Sequence, residues 1–237
     1  MVGASFADGA ALAQAGSQAT VSIGSPQNIT VYNVLAESKE GDPNTVVMAG
    51  AHLDSVARGP KINDNGSGSA ALLEIAEQMA KVKPRNMLRF AWWGAEEAGL
   101  VGSTAYVNSL SAAERAKIAL YLNFDMVGSP NHVFFIYDGD DSDAVGAGPG
   151  PAGSAEIEKT FERYFNSVGV PFKGTDFTGR SDYGPFIANG IPSGGLFTGA
   201  EGIKTAAEAA IWGKARATSN WFPAIRGSTR KHSKQKP

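Results

Sequence analysis

The sequence predicts an α/β protein: a three-layer sandwich with a mostly parallel, mixed central sheet and helices on both faces. Three observations carry that expectation. Apolar runs of strand length near Val46, Met87 and Ile118 alternate with helix-patterned stretches, the order that builds a parallel sheet with crossover helices. Each run ends in residues able to do chemistry: His52 with Asp54, Glu96 with Glu97, and Asp125. Strand ends in such a sheet share one edge, where binding sites form. A length of 237 residues is enough for one domain of this architecture.

Residues 1–19 read as the end of a short strand followed by a small-residue helix around Asp8 to Ala15. Thr20 to Ile23 and Ile29 to Ala36 read as strands separated by the Gly24-Ser25-Pro26 turn. Glu37 to Asn44 is a polar turn leading into the Val46 strand, which breaks at Gly50 before His52 and Asp54. A glycine-rich passage follows, Asn63-Asp64-Asn65-Gly66-Ser67-Gly68-Ser69, and then a helix over Ala70 to Met79. Asn, Asp, Gly and Ser are also ordinary turn formers, and by itself this loop supports either reading.

Pro84 interrupts the polar connection to the next strand, Met87 to Gly94, which ends at once in Ala95-Glu96-Glu97. Acidic residues favour the first turn of a helix, where the macrodipole stabilises them. Adjacent carboxylates also point in different directions, so one can ligate a metal while the other faces a substrate. A helix over Leu100 to Leu110, a capping box at Ser111 and Glu114, and a third strand over Ile118 to Asp125 complete the pattern.

Composition narrows the function. There is no cysteine, so a metal must be held by His, Asp and Glu. The tail from Lys214 carries seven Lys or Arg and no acid, leaving all 23 acidic side chains and 14 of the 21 basic ones in the preceding 213 residues. An acidic body with a short basic tail is not the footprint of a nucleic-acid-binding domain. No apolar run approaches the length of a membrane helix, and the first residues do not have the pattern of a signal peptide. The clustered oxygen ligands and single imidazole suit two zinc ions sharing a bridging carboxylate.

His52-Leu53-Asp54, Ile62-Asn63-Asp64-Asn65-Gly66-Ser67-Gly68, Trp92-Trp93-Gly94-Ala95-Glu96-Glu97 and Asn123-Phe124-Asp125 resemble the successive motifs of the two-zinc aminopeptidases typified by aminopeptidase Y and the secreted bacterial leucyl aminopeptidases. The resemblance runs from about Asn28 through Gly213 and implies the zinc-exopeptidase fold. It implies that His52 and Asp125 hold one zinc, Glu97 the second, and Asp64 bridges both. Glu96 is then the general base, and Asp54 the partner that keeps His52 in its productive tautomer. Gly179-Arg180-Ser181-Asp182-Tyr183-Gly184-Pro185-Phe186 is similar to a substrate-facing loop whose arginine would bind a carboxylate or steady the tetrahedral intermediate; a solvated surface arginine is the alternative. Gly194-Gly195-Leu196-Phe197-Thr198-Gly199 resembles the wall of the pocket for the first side chain, with Leu196 and Phe197 favouring bulky apolar residues, and also reads as a buried strand with a glycine bend.

The expected domains are a remnant of a protease-associated insert over 1–19, a catalytic domain over 20–213, and a disordered basic tail over 214–237. The resemblance further implies a fifth ligand, a histidine in a Tyr-His pair beyond Gly213. Here the chain instead turns basic and unpatterned, as a reading-frame shift would leave it, and Met1 reads as an internal start. His132, expected on the surface, and His232 are poor substitutes. The expected activity is removal of N-terminal residues from peptides by a monomer that binds neither nucleic acid nor membrane, in an exported or vacuolar setting. The competing expectation is a fragment or binding module that keeps the fold and has lost the chemistry.

Overall fold

A computed structural model of the chain describes residues 5–25, 28–56, 62–146 and 148–213. The chain divides into two compact units, Met1–Thr30 and Val31–Pro237. Among the described residues the first unit contains one short helix, α1 (Phe6–Leu12), capped by the Ser5 hydroxyl on the Asp8 amide. The expected strand over Thr20 to Ile23 does not form, and these residues are exposed coil. Short β-prone runs are strands only when a neighbouring edge takes up their hydrogen bonds.

The second unit is built on seven strands: β1 (Val34–Glu37), β2 (Asp42–His52), β3 (Asn86–Trp93), β4 (Ile118–Phe124), β5 (Phe135–Tyr137), β6 (Lys173–Thr175) and β7 (Ser193–Phe197). They form one sheet in the order β1-β3-β2-β4-β7-β5-β6. The central run β3-β2-β4-β7 is parallel, while β1 on β3 and β5 on β7 are antiparallel. This is the mostly parallel mixed sheet expected. The β2 strand starts earlier than its apolar run, because Asp42 pairs with Asn86 across a register shift.

Strand alternation divides the core into two layers. On one face Val46, Met48, Ala91, Trp93, Ile118 and Tyr121 pack beneath α3 (Val101–Ser109), which adds Val107, and α6 (Gly184–Ala188), which adds Phe186. Phe186 stacks on Tyr121 with ring centroids 3.9 Å apart and planes 6° from parallel. On the other face Ala49, Ala51, Phe90, Trp92 and Phe124 pack against Leu72 of α2 (Gly68–Met79). The short helix α4 (Ala112–Arg115) begins at the expected capping box, α5 (Ser154–Ser167) packs on β7 and β5, and α7 (Ala206–Trp212) follows β7. No helix among the described residues is long and apolar enough to cross a membrane.

Candidate active site

Parallel pairing brings the carboxyl ends of β2, β3 and β4 together, and each strand delivers its polar residues there. His52 is the last residue of β2. Beyond β3, Ala95 adopts a left-handed backbone (φ 58°) immediately before Glu96; beyond β4, Met126 does the same (φ 48°) immediately after Asp125. A non-glycine residue in this region costs of order 1–3 kcal/mol and persists where surrounding contacts fix it. Here it ends the strand abruptly and turns the chain at the carboxylates.

Asp64 arrives on a single wide turn, Asn63–Ser67, that runs into α2. The buried Asn65 side chain ties this turn to the end of β4. Its Nδ2 donates to the Phe124 carbonyl (3.0 Å), and its Oδ1 accepts from the amides of Gly68 (3.0 Å) and Met126 (3.2 Å). Gly68 is required at the helix start, since a Cβ there would overlap the Phe124 carbonyl oxygen and the Asn65 side chain. The Ser69 hydroxyl donates to the His52 carbonyl at 2.6 Å, which fixes the helix to β2.

The result is a tight donor cluster. One ligand atom each of His52, Asp64 and Glu97, and one each of His52, Glu96 and Asp125, lie within 4.8 Å of one another. His52 Nε2 is 3.2 Å from Asp64 Oδ1 and 3.3 Å from Asp125 Oδ1. On the other side of the ring, Nδ1 is 3.0 Å from the Asp54 backbone carbonyl. A carbonyl only accepts, so Nδ1 carries a hydrogen. Nε2 faces two carboxylate oxygens, and the position calls for positive charge there, a proton on Nε2 or a metal ion in its place.

Asp54 lies beside His52 and makes a second set of contacts. Its side chain lies 3.4 Å from Nδ1, and its two oxygens accept the backbone amides of Glu96 (3.0 Å) and Glu97 (3.1 Å). Both the carbonyl and the carboxylate of Asp54 lie near Nδ1, and the carboxylate also holds the Glu96-Glu97 loop. The reason is geometric: an aspartate two residues past the strand end reaches the N–H groups of the adjacent parallel strand's terminus.

Electrostatics reflect the crowding. Burial disfavours charge on His52, but hydrogen bonds with Asp125 and Asp64 outweigh it and raise the imidazole to about 11. Burial raises Glu96 to about 8, with Asp125 and Asp182 adding repulsion against the opposing charge of His52. Burial and the Asp64 charge raise Glu97 to about 7. Several acids share a space that holds one positive side chain, so a divalent ion fits the donor set and would relieve the repulsion.

The cluster opens into a cavity of about 530 Å³ whose walls include Met126, Val133, Phe135, Tyr137, Phe197 and Ile203. Phe197 lines this cavity, stacked on Phe135 at 5.8 Å. Leu196 packs into the Leu72 layer on the opposite face of the sheet, because neighbouring strand residues point to opposite sides. Arg180 lines the cavity, with its side chain 73% exposed and paired to Glu201 at 2.6 Å. His132 is half-buried against Phe134 rather than on the surface, and it belongs to none of the donor clusters among the described residues. His232 and the basic tail lie outside the described residues.

Sequence reasoning passed over Asn65, Asn123 and Ser181, all buried beside the donor cluster. Each stood inside or beside a quoted motif; Asn123 shares a strand face with Asp125 by period-two alternation, which was the available signal. A third acidic group, Asp138, Asp140 and Glu158, is accounted for by loop amides. Glu158 accepts from Gly139 and Asp140, and Asp138 accepts from Ser142 and Asp143.

The model of peptidase family M28 matches residues 33–221. A probable leucine aminopeptidase 2 of Aspergillus fumigatus is 53% identical over 218 residues, 90% of this chain and 43% of that protein. An aminopeptidase of Pseudomonas aeruginosa is 62% identical over 182 residues, 77% of this chain and 34% of that protein. The chain thus spans less than half the length of these curated relatives. Among solved structures, a zinc aminopeptidase from Bacillus subtilis superposes with a TM-score of 0.58 at 30% identity, over 70% of this chain and 40% of that one. An aminopeptidase from Aneurinibacillus sp. strain AM-1 does so with a TM-score of 0.58 at 32% identity, covering 70% and 39%.

Proposed function

This chain belongs to peptidase family M28, and from that premise we propose that it is a zinc-dependent aminopeptidase releasing bulky apolar, leucine-like residues from peptide N-termini. The observation that carries the reading is His52 Nε2 aimed at Asp64 and Asp125, with Glu97 beside them. Imidazole nitrogen with carboxylate oxygens is a zinc donor set. In this reading His52, Asp64, Glu97 and Asp125 would hold the zinc. Bound zinc would polarise the scissile carbonyl and acidify the attacking water.

The remaining work falls to the chain. Glu96, buried at the cluster, takes the proton from the attacking water and returns it to the leaving amine. Asp54 fixes the Glu96 and Glu97 amides, and so the direction in which the base points. The apolar walls at Met126, Val133, Phe135 and Phe197 receive the first side chain and exclude water. Arg180 stands at the mouth, where its guanidinium can meet a substrate carboxylate or the developing oxyanion.

The test is hydrolysis of leucine p-nitroanilide by the full chain, beside the same substrate with its amino group acetylated. The free-amino substrate is expected to react and the blocked one not. Chelation abolishes the activity and zinc restores it, and Glu96→Gln lowers kcat by about 100- to 10,000-fold. Equal traces for wild type, chelated protein and Glu96→Gln would instead support a binding module that keeps the fold without the chemistry.

A further inference from the structure

Asp125 is reached from behind by an uninterrupted line of buried hydrogen bonds that the proposed reaction leaves unused. Trp93 Nε1 donates to Tyr121 Oη (2.9 Å), and Tyr121 Oη donates to Asn123 Oδ1 (3.2 Å). Asn123 Nδ2 then donates to Ser181 Oγ (2.9 Å), and Ser181 Oγ donates to Asp125 Oδ2 (2.7 Å). None of the four contributing residues is more than 5% exposed. The line has one direction. An indole N–H can only donate and a carboxylate can only accept, so every hydroxyl and amide between them is oriented toward Asp125.

The surrounding fold makes room for this line. Gly50 of β2 lies between β3 and β4, paired with Ala91 on one side and Asn123 on the other. A Cβ at Gly50 would overlap both Tyr121 Oη and Trp93 Nε1. The Trp93–Tyr121 bond therefore passes over a strand that is glycine at the crossing point. Phe186 covers the Tyr121 ring by stacking. Ser181, the last link, comes from a loop distant in sequence, and it is the only donor the described hydrogen bonds give Asp125 Oδ2; Oδ1 faces His52 Nε2.

We propose that Trp93, Tyr121, Asn123 and Ser181 are positioning residues, a one-way hydrogen-bond line that occupies Asp125 Oδ2 and so presents Oδ1 to the cation shared with His52. The inference rests on the metal-site reading above and extends it to four residues that would not themselves hold the metal. Hydrogen-bond partners behind a ligand commonly govern metal affinity by about 10- to 100-fold. A line that acts as a unit has a further consequence: once its last link is gone, the upstream links have nothing to act on.

The experiment is Co2+ binding to the full chain, by competition with a chromophoric chelator and by visible absorption of the bound ion. The proteins are wild type, Ser181→Ala, Tyr121→Phe, the double variant and Ser181→Thr, with circular dichroism of each metal-free protein as the control for folding. Ser181→Ala is expected to weaken Co2+ by about 10- to 100-fold and to alter the absorption bands. Tyr121→Phe should show a smaller loss, and the double variant should match Ser181→Ala alone to within about twofold. Ser181→Thr, which keeps the hydroxyl, should retain the wild-type bands, and it decides the matter if Tyr121→Phe does not fold. Losses that multiply in the double variant, or unchanged affinity and spectrum in Ser181→Ala, overturn the positioning line while leaving the metal site standing. A wild-type chain that takes up no Co2+ overturns the metal-site reading itself, and the line with it.

Discussion

Replacing Asp54 by Ala separates two roles that a carboxylate at this position can have. If the carboxylate acts on the Glu96 and Glu97 amides, the variant removes two charge-assisted hydrogen bonds, at 3.0 and 3.1 Å. Such bonds contribute about 1.5–3 kcal/mol each. With the Asp54 side chain 30% exposed, water replaces part of each bond, and the low end of the range applies, about 3 kcal/mol for the pair. For a chain of this size that corresponds to a fall in Tm of about 6–12 °C. Loosening the loop that carries Glu96 should also cost on the order of 100-fold in kcat, since misplacing a catalytic group by about 1 Å has that effect. The tautomer of His52 should not change, because the backbone carbonyl that accepts its Nδ1–H remains. Thermal unfolding, leucine p-nitroanilide kinetics and nitrogen NMR of the metal-loaded imidazole read the three effects separately. Unchanged Tm and kcat in the variant would refute the assignment of the carboxylate to the loop.

Other expected outcomes follow from single contacts. Gly50→Ala forces a methyl group into the Tyr121 and Trp93 contact and should destabilise by about 1–3 kcal/mol in urea unfolding; a neutral result would mean the strands spread without cost. Phe197→Ala enlarges the cavity and should shift kcat/KM away from leucyl toward larger aromatic substrates. Leu196→Ala should leave that preference intact and lower stability by about 2 kcal/mol; the opposite pattern would place Leu196 at the pocket. Burial raises Glu158 from 4.5 to about 7, so between those values the folded state binds more protons than the unfolded chain and stability from this group falls as pH rises. Glu158→Gln should therefore gain in Tm relative to wild type between pH 5 and pH 8, and a Tm difference that stays flat with pH would contradict the burial effect.

The alternation of apolar runs with helical stretches reveals the parallel strands β2, β3 and β4 directly, because burial on both faces makes each run continuous and its end abrupt. His52, Glu96, Glu97 and Asp125 were legible for the same reason: parallel strands must share an edge, so polar residues at successive strand ends must meet, and Asp64 was legible from the glycine-rich loop that follows the first of them. The short strands β5 and β6, three residues each, left no such trace, since their existence depends on neighbours supplied from elsewhere in the chain. The exposed run Thr20 to Ile23 shows the converse, a β-prone sequence to which no partner strand is paired.

What the sequence determined by itself was the set of chemical groups and the edge of the sheet on which they gather. Tertiary structure decided how each group is used. Whether Leu196 or Phe197 faces the cavity depends on strand register, which one residue of slip inverts. Which part of Asp54 serves His52 and which the Glu96-Glu97 loop depends on distances between strands 42 residues apart in the chain. The line from Trp93 to Asp125 draws on three separate segments and crosses a fourth at Gly50. A hydrogen bond needs a few tenths of an ångström in placement, and only the folded packing supplies that.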